Sequence, residues 1–118
     1  MKATIWHNPA CGTSRRTLAI LEATPDIQLA VIEYLRTPPD RARLSELFAK
    51  AGLSPRQAMR TYAEPAQSLV AELELTDASD ETIVDAMMAH PILINRPLVE
   101  TDKGVRLCRP PEMVHEIL

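Results

Sequence analysis

A mixed α/β fold is predicted by three successive patterns in the chain: a strand–helix–strand opening, a largely helical middle, and a β-hairpin followed by a short helix. In the opening, residues 2–6 include Thr4, Ile5 and Trp6, types that favour a strand. His7-Asn8-Pro9 breaks that strand, and a helix follows from about Gly12 to Glu22, with Leu18 and Leu21 on one face and Ile20 flanking it. Residues 28–34 contain Leu29-Ala30-Val31-Ile32 without clean alternation, which predicts a strand covered on both faces. Two strands joined through a helix are expected to be parallel, in a right-handed βαβ unit.

The middle begins at Thr37-Pro38-Pro39-Asp40, where Asp40 is placed to cap a helix. Leu44, Leu47, Phe48 and Ala51 then form a helical stripe that Gly52 closes. Ser54-Pro55 predicts a second, short helix, and Glu64-Pro65 a third running to about Leu73. Ser79 caps a fourth, with Asp80 and Glu81 favourable at its positive end and Ile83, Val84 and Met87 inward; His90-Pro91 ends it. Leu98-Val99-Glu100 and Val105-Arg106-Leu107 flank the tight turn Thr101-Asp102-Lys103-Gly104. Pro110 starts a closing helix that carries Met113, Val114 and Ile117 inward. A βαβ unit, a helical insertion at about 40–90, then a hairpin and a C-terminal helix is the order of a thioredoxin-like fold. It is read as a single domain over residues 1–118.

Composition narrows the class of function. The 118 residues suit one core, built mainly from aliphatic side chains because aromatics are confined to Trp6, Tyr34, Phe48 and Tyr62. A net charge of -3 with dispersed basic residues argues against a nucleic-acid partner. No apolar run approaches the ~18 to 20 residues of a membrane span, and residues 1–6 lack a signal peptide's apolar stretch, so a cytoplasmic protein is expected. Cys11 and Cys108 are far apart, and a reducing compartment does not favour a disulfide framework. Two cysteines and three histidines are too few to suggest a structural zinc site.

Cys11 stands out among the thiols. It sits in His7-Asn8-Pro9-Ala10-Cys11-Gly12-Thr13-Ser14-Arg15, between a strand's end and a helix's start. Unpartnered N–H groups and a positive dipole there stabilise a thiolate, and equally an oxyanion. Gly12 permits close backbone approach, Thr13 and Ser14 offer hydroxyl donors, and Arg15 adds charge. A protonated His7 facing the loop would lower the thiol pKa further. An ordinary thiol, with pKa near ~8.5, is only about 3% thiolate at pH 7; at a helix start beside a cation the pKa falls to roughly 3.5–7.5. The pattern is Cys-x-x-Ser, so no adjacent thiol can resolve an oxidised Cys11.

This loop closely resembles the active-site loop of the glutathione- and glutaredoxin-linked arsenate reductases. The likeness continues through Tyr34-Leu35-Arg36-Thr37-Pro38-Pro39, His90-Pro91-Ile92-Leu93-Ile94-Asn95-Arg96-Pro97 and Arg106-Leu107-Cys108-Arg109-Pro110, in matching order. The resemblance implies a thioredoxin-like fold with helical insertion, Cys11 as catalytic cysteine, His7 as an assisting residue, and Arg60, Arg96 and Arg109 as functional arginines. It also implies arsenate as substrate, glutathione as co-substrate and glutaredoxin as partner, in a mechanism that calls for no metal and no tightly bound cofactor. Planar guanidinium forks suit a tetrahedral oxyanion and offset charge that develops during attack. Arg96-Pro97 is where such a fold sets a cis-proline beside its thiol. The surroundings of Arg60 match more loosely. Arg36, Arg41, Arg43 and Arg56 read as solvated or salt-bridged surface charges, and Cys108 as a packing residue.

Three other readings share parts of this pattern. A general glutathione-dependent thiol oxidoreductase would keep the thiol loop without needing three arginines. An Spx-like regulator would commonly carry Cys-x-x-Cys, where Ser14 stands here. A cysteine phosphatase needs Cys-x5-Arg, and Arg16 falls one position short.

Overall fold

The computed structural model describes residues 1–118. The chain divides into two compact units, one formed by Met1–Thr37 with Arg96–Leu118 and the other by Pro38–Asn95.

The first unit holds a four-stranded sheet. Strand β1 (Lys2–His7) leads to helix α1 (Gly12–Ala23) and strand β2 (Gln28–Glu33), and the hairpin strands are β3 (Leu98–Thr101) and β4 (Gly104–Leu107). The order across the sheet is β2-β1-β3-β4, with β1 parallel to β2 and the other pairings antiparallel. The parallel βαβ start and the hairpin are as the sequence predicts. Thr101 pairs with Gly104, leaving Asp102-Lys103 as a two-residue turn, and Gly104 takes a φ of 144° that L side chains rarely adopt.

Strand periodicity decides what faces α1. Ala3 and Ile5 of β1 and Val99 of β3 join Leu21 of α1 and Cys108, Val114 and Ile117 in one buried cluster, against which Leu18, Ile20, Ile27, Leu29 and Leu118 pack. The closing helix expected from Pro110 is a 3-10 helix, Pro111–Ile117, in which Met113 is only half-buried. Its buried residues are Pro111, Val114 and Ile117, three apart, which is the spacing that a 3-10 helix stacks on one face.

One expectation about the sheet is corrected. β2 is not covered on both faces; it is an edge strand with no fully buried residue, and Val31 is 47% exposed. An uninterrupted apolar run of four residues reads the same whether it lies centrally or at an edge, because composition does not report which neighbours the sheet supplies.

The second unit is helical: α2 (Arg41–Ala51), α3 (Ala66–Glu72), α4 (Asp80–Ala89) and a 3-10 turn at Pro91–Leu93. Asp40 caps α2 by accepting from the Arg43 N–H at 2.8 Å, and Gly52 ends it at a φ of 70°. Ser79 caps α4 by accepting from the Thr82 N–H at 3.2 Å. Leu44, Leu47 and Phe48 of α2, and Ile83, Val84 and Met87 of α4, are buried. The helix expected at Ser54-Pro55 is only a single turn. Ser54 and Gln57 exchange side-chain and backbone hydrogen bonds at 2.9 and 3.2 Å, and the Ala58 N–H donates to the Ser54 carbonyl at 3.0 Å. A capping box marks a start but does not set a length. No helix is long and apolar enough to cross a membrane.

Candidate active site

The loop from His7 to Gly12 is shaped by where β1 ends. His7 is the last strand residue and, by alternation, shares the face of Ala3 and Ile5 that packs on α1. Its Nδ1 therefore meets the Ser14 Oγ at 2.7 Å, and both side chains are buried. The Asn8 N–H also donates to that oxygen at 3.0 Å. Pro9 and Ala10 turn the chain, the Cys11 N–H donates to the Asn8 carbonyl at 3.0 Å, and Cys11 occupies the cap position of α1.

Cys11 is 8% exposed. Burial by itself would push its thiol up, yet the net shift is downward. The Ser14 backbone N–H, the Arg109 side chain, the charge of Arg96 and the Thr13 backbone N–H together outweigh burial. Neither amide makes a capping hydrogen bond of regular geometry to Sγ, so the helix start acts as an oriented field rather than through one strong contact. The Arg109 Nη1 lies 3.7 Å from the Cys11 Sγ and donates to the Arg96 carbonyl at 3.0 Å. Arg96 is buried, and the Arg96-Pro97 bond is cis, as expected; Arg109-Pro110 and Glu64-Pro65 are cis as well. Residues 98 positions apart in sequence thus meet at one thiol.

Two details differ from the sequence reading. His7 is disfavoured as a cation: burial lowers its pKa and Arg15 adds to that, while Glu33 and Glu22 oppose it only in part. Its influence on the loop runs through the hydrogen bond to Ser14. The Ser14 hydroxyl, fully buried and held by His7 and Asn8, is also not presented as a donor to a ligand. Its backbone N–H is what faces the thiol.

Thr13 and Gly12 lie in the first turn of α1, both half-buried. Arg15 is exposed and folds back to donate to the Pro9 carbonyl at 2.8 Å. Arg60 belongs to the helical unit, where it is buried; its N–H donates to the Leu93 carbonyl at 2.8 Å and its Nε to the Tyr62 carbonyl at 3.2 Å. Cys108 is fully buried in the sheet-unit core, and burial raises its pKa to about 12. Of the four arginines read as surface charges, Arg36 is exposed, Arg41 pairs with Asp85, Arg43 pairs with Glu46, and Arg56 donates to the Leu75 carbonyl at 3.2 Å. No cluster of three or more His, Cys, Asp or Glu side chains is arranged to hold a metal.

Sequence reasoning gave Asn8 no role beyond breaking the strand. In the structure its Oδ1 accepts from the Ala10 N–H at 3.0 Å and its Nδ2 donates to the Tyr34 hydroxyl at 3.4 Å. The Asn-Pro pair, a turn initiator, was the available signal.

Residues 6–117 match the model of the ArsC family. The chain belongs to the ArsC family. Within it, an arsenate reductase of Rhizobium meliloti is 53% identical over 120 residues, covering 100% of this chain and 82% of that protein. An arsenate reductase of Escherichia coli K12 is 49% identical over 116 residues, covering 98% and 79%. Among solved structures, an arsenate reductase from Vibrio cholerae superposes with a TM-score of 0.88 at 43% identity, covering 100% of this chain and 98% of that one. The fold of this ArsC chain is thioredoxin-like.

Proposed function

We propose that this chain is an arsenate reductase with Cys11 as its nucleophile. The observation that carries the reading is a thiol biased toward thiolate at a helix start with the Arg109 guanidinium 3.7 Å from its sulfur. Similarity to arsenate reductases at about half of all positions supports the choice of oxyanion.

In this mechanism arsenate docks at the start of α1, against the backbone N–H groups of Gly12, Thr13 and Ser14, with Arg15 contributing exposed charge. Arg96 and Arg109 flank the sulfur and offset charge gathering on the arsenate oxygens. Arg60 enters from the resemblance, as a third anion-binding arginine. The Cys11 thiolate attacks arsenic; an As–S bond forms and one oxygen leaves, protonated, as water. His7 assists by fixing Ser14, and with it the first turn of α1.

The later steps rest on the resemblance. Glutathione, as co-substrate, displaces a second oxygen as water. A glutaredoxin thiolate then attacks the glutathione sulfur. The As–S electron pair stays on arsenic, which passes from As(V) to As(III), and glutathione departs as a mixed disulfide on glutaredoxin. Water finally displaces Cys11 and arsenite is released. Such chemistry needs a compartment that keeps thiols reduced, and the cytoplasm is the proposed location.

The test is a coupled assay with arsenate, glutathione and glutaredoxin. Arsenite formation is expected with all three present and is expected to collapse when glutaredoxin is withheld. Undiminished turnover without glutaredoxin would remove it from the scheme, and no arsenite under any condition would remove the assignment.

A further inference from the structure

Cys11 owes its setting to a residue that neither touches the sulfur nor has a place in the chemistry proposed above. Asn8 makes four hydrogen bonds, and each reaches a different part of the loop's frame. Its N–H donates to the Ser14 Oγ at 3.0 Å, tying the end of β1 to the first turn of α1. Its carbonyl accepts from the Cys11 N–H at 3.0 Å, closing the turn that delivers the thiol. Its Oδ1 accepts from the Ala10 N–H at 3.0 Å, an Asx-type turn that fixes the residue before Cys11. Its Nδ2 donates at 3.4 Å to the hydroxyl of Tyr34, a buried residue just beyond the end of β2. The ends of two parallel strands and the start of the intervening helix are thereby referenced to one buried amide.

We infer that Asn8 is a positioning residue for Cys11, holding the 8–11 turn so that the sulfur sits in the field of the Thr13 and Ser14 amides and within reach of Arg109. The physical argument is one of distance. Charge–dipole interactions fall steeply with separation, and the amides act on Sγ without a capping hydrogen bond of regular geometry, so their effect depends on how the turn is held. Ser14 cannot anchor the turn alone, because its hydroxyl is shared with His7 and it contacts only the Asn8 end of the loop. The side chain of Asn8 fixes the middle of the turn at Ala10 and braces it from outside through Tyr34. The inference rests on the reading of Cys11 as the nucleophile, but its test needs no arsenate.

The measurement is the rate of iodoacetamide alkylation of Cys11 from pH 5 to 10, in the wild type, Asn8→Ala, Asn8→Ser and Tyr34→Phe. In Asn8→Ala the rate at pH 6 is expected to fall about threefold or more, while the plateau at high pH stays unchanged, because the thiolate fraction and not access has been altered. Asn8→Ser keeps an acceptor for the Ala10 N–H and is expected to recover most of the loss. Tyr34→Phe preserves the ring and is expected to show a smaller slowing, which keeps the inference testable if Asn8→Ala does not fold. A profile in Asn8→Ala and Tyr34→Phe that superposes on the wild type would overturn the inference. So would a change confined to the plateau, or Asn8→Ser behaving no better than Asn8→Ala. Failure of the wild type to reduce arsenate would defeat the proposed function and leave these profiles to decide the role of Asn8.

Discussion

Removing the charge at Arg109 probes the electrostatic setting of Cys11 most sharply. Arg109→Gln deletes a guanidinium whose Nη1 lies 3.7 Å from the Cys11 sulfur and keeps a polar stem of comparable shape. Two unit charges about 4 Å apart interact by about 1 kcal/mol in water and about 4 kcal/mol at the effective dielectric of a protein surface. Arg109 is half-buried while Cys11 is buried, so solvent screens part of the attraction and the lower end of that range applies. A loss of about 1.4 kcal/mol is a tenfold change in the thiol–thiolate equilibrium. Alkylation of Cys11 at pH 6 should accordingly slow about five- to tenfold in Arg109→Gln. Its rate should recover to the wild-type plateau as the pH is raised. An alkylation profile identical to the wild type would refute the reasoning, since it would mean that the amides and Arg96 alone set the thiol.

Two further outcomes follow from the same geometry. Cys108 is fully buried with its pKa raised to about 12, so native protein at pH 8 should take up one alkyl group, at Cys11, and a second only on unfolding; mass spectrometry of the alkylated protein reads this directly. His7 has a folded-state pKa below its unfolded value, so the unfolded chain binds the proton more readily and stability falls as the pH drops below about 6.5. Urea unfolding of His7→Gln between pH 7 and 5 should lack that part of the decline, and a parallel decline in both proteins would contradict it.

What the sequence made legible follows from what is local. Caps at Asp40 and Ser79, the stop at Gly52, the Asp102-Lys103 hairpin turn and the inward stripe of Leu44, Leu47 and Phe48 are written in neighbouring residues, and the structure keeps them. The edge position of β2 was not legible, because it depends on how many strands join the sheet and on which side. The 3-10 character of Pro111–Ile117 was hidden for a similar reason. Val114 and Ile117 fit either helix type, and the choice falls to packing against β3, β4 and α1. At the site, Cys11 announced itself through its polar, helix-starting surroundings, Arg109 through the resemblance, and Arg96 through the resemblance and its place before Pro97. That Arg109 reaches the sulfur, that burial lowers the His7 pKa and its ring bonds to Ser14, and that Asn8 hydrogen-bonds to Tyr34 all depend on pairings between distant segments or on burial. Neither is encoded in a spacing.

The central claim is that Cys11 performs the attack on arsenate, and Cys11→Ser tests it most directly. The exchange is nearly isosteric, so circular dichroism and thermal unfolding should match the wild type. Glutathione- and glutaredoxin-coupled formation of arsenite should fall to the uncatalysed background. Appreciable arsenite production by folded Cys11→Ser would contradict the account.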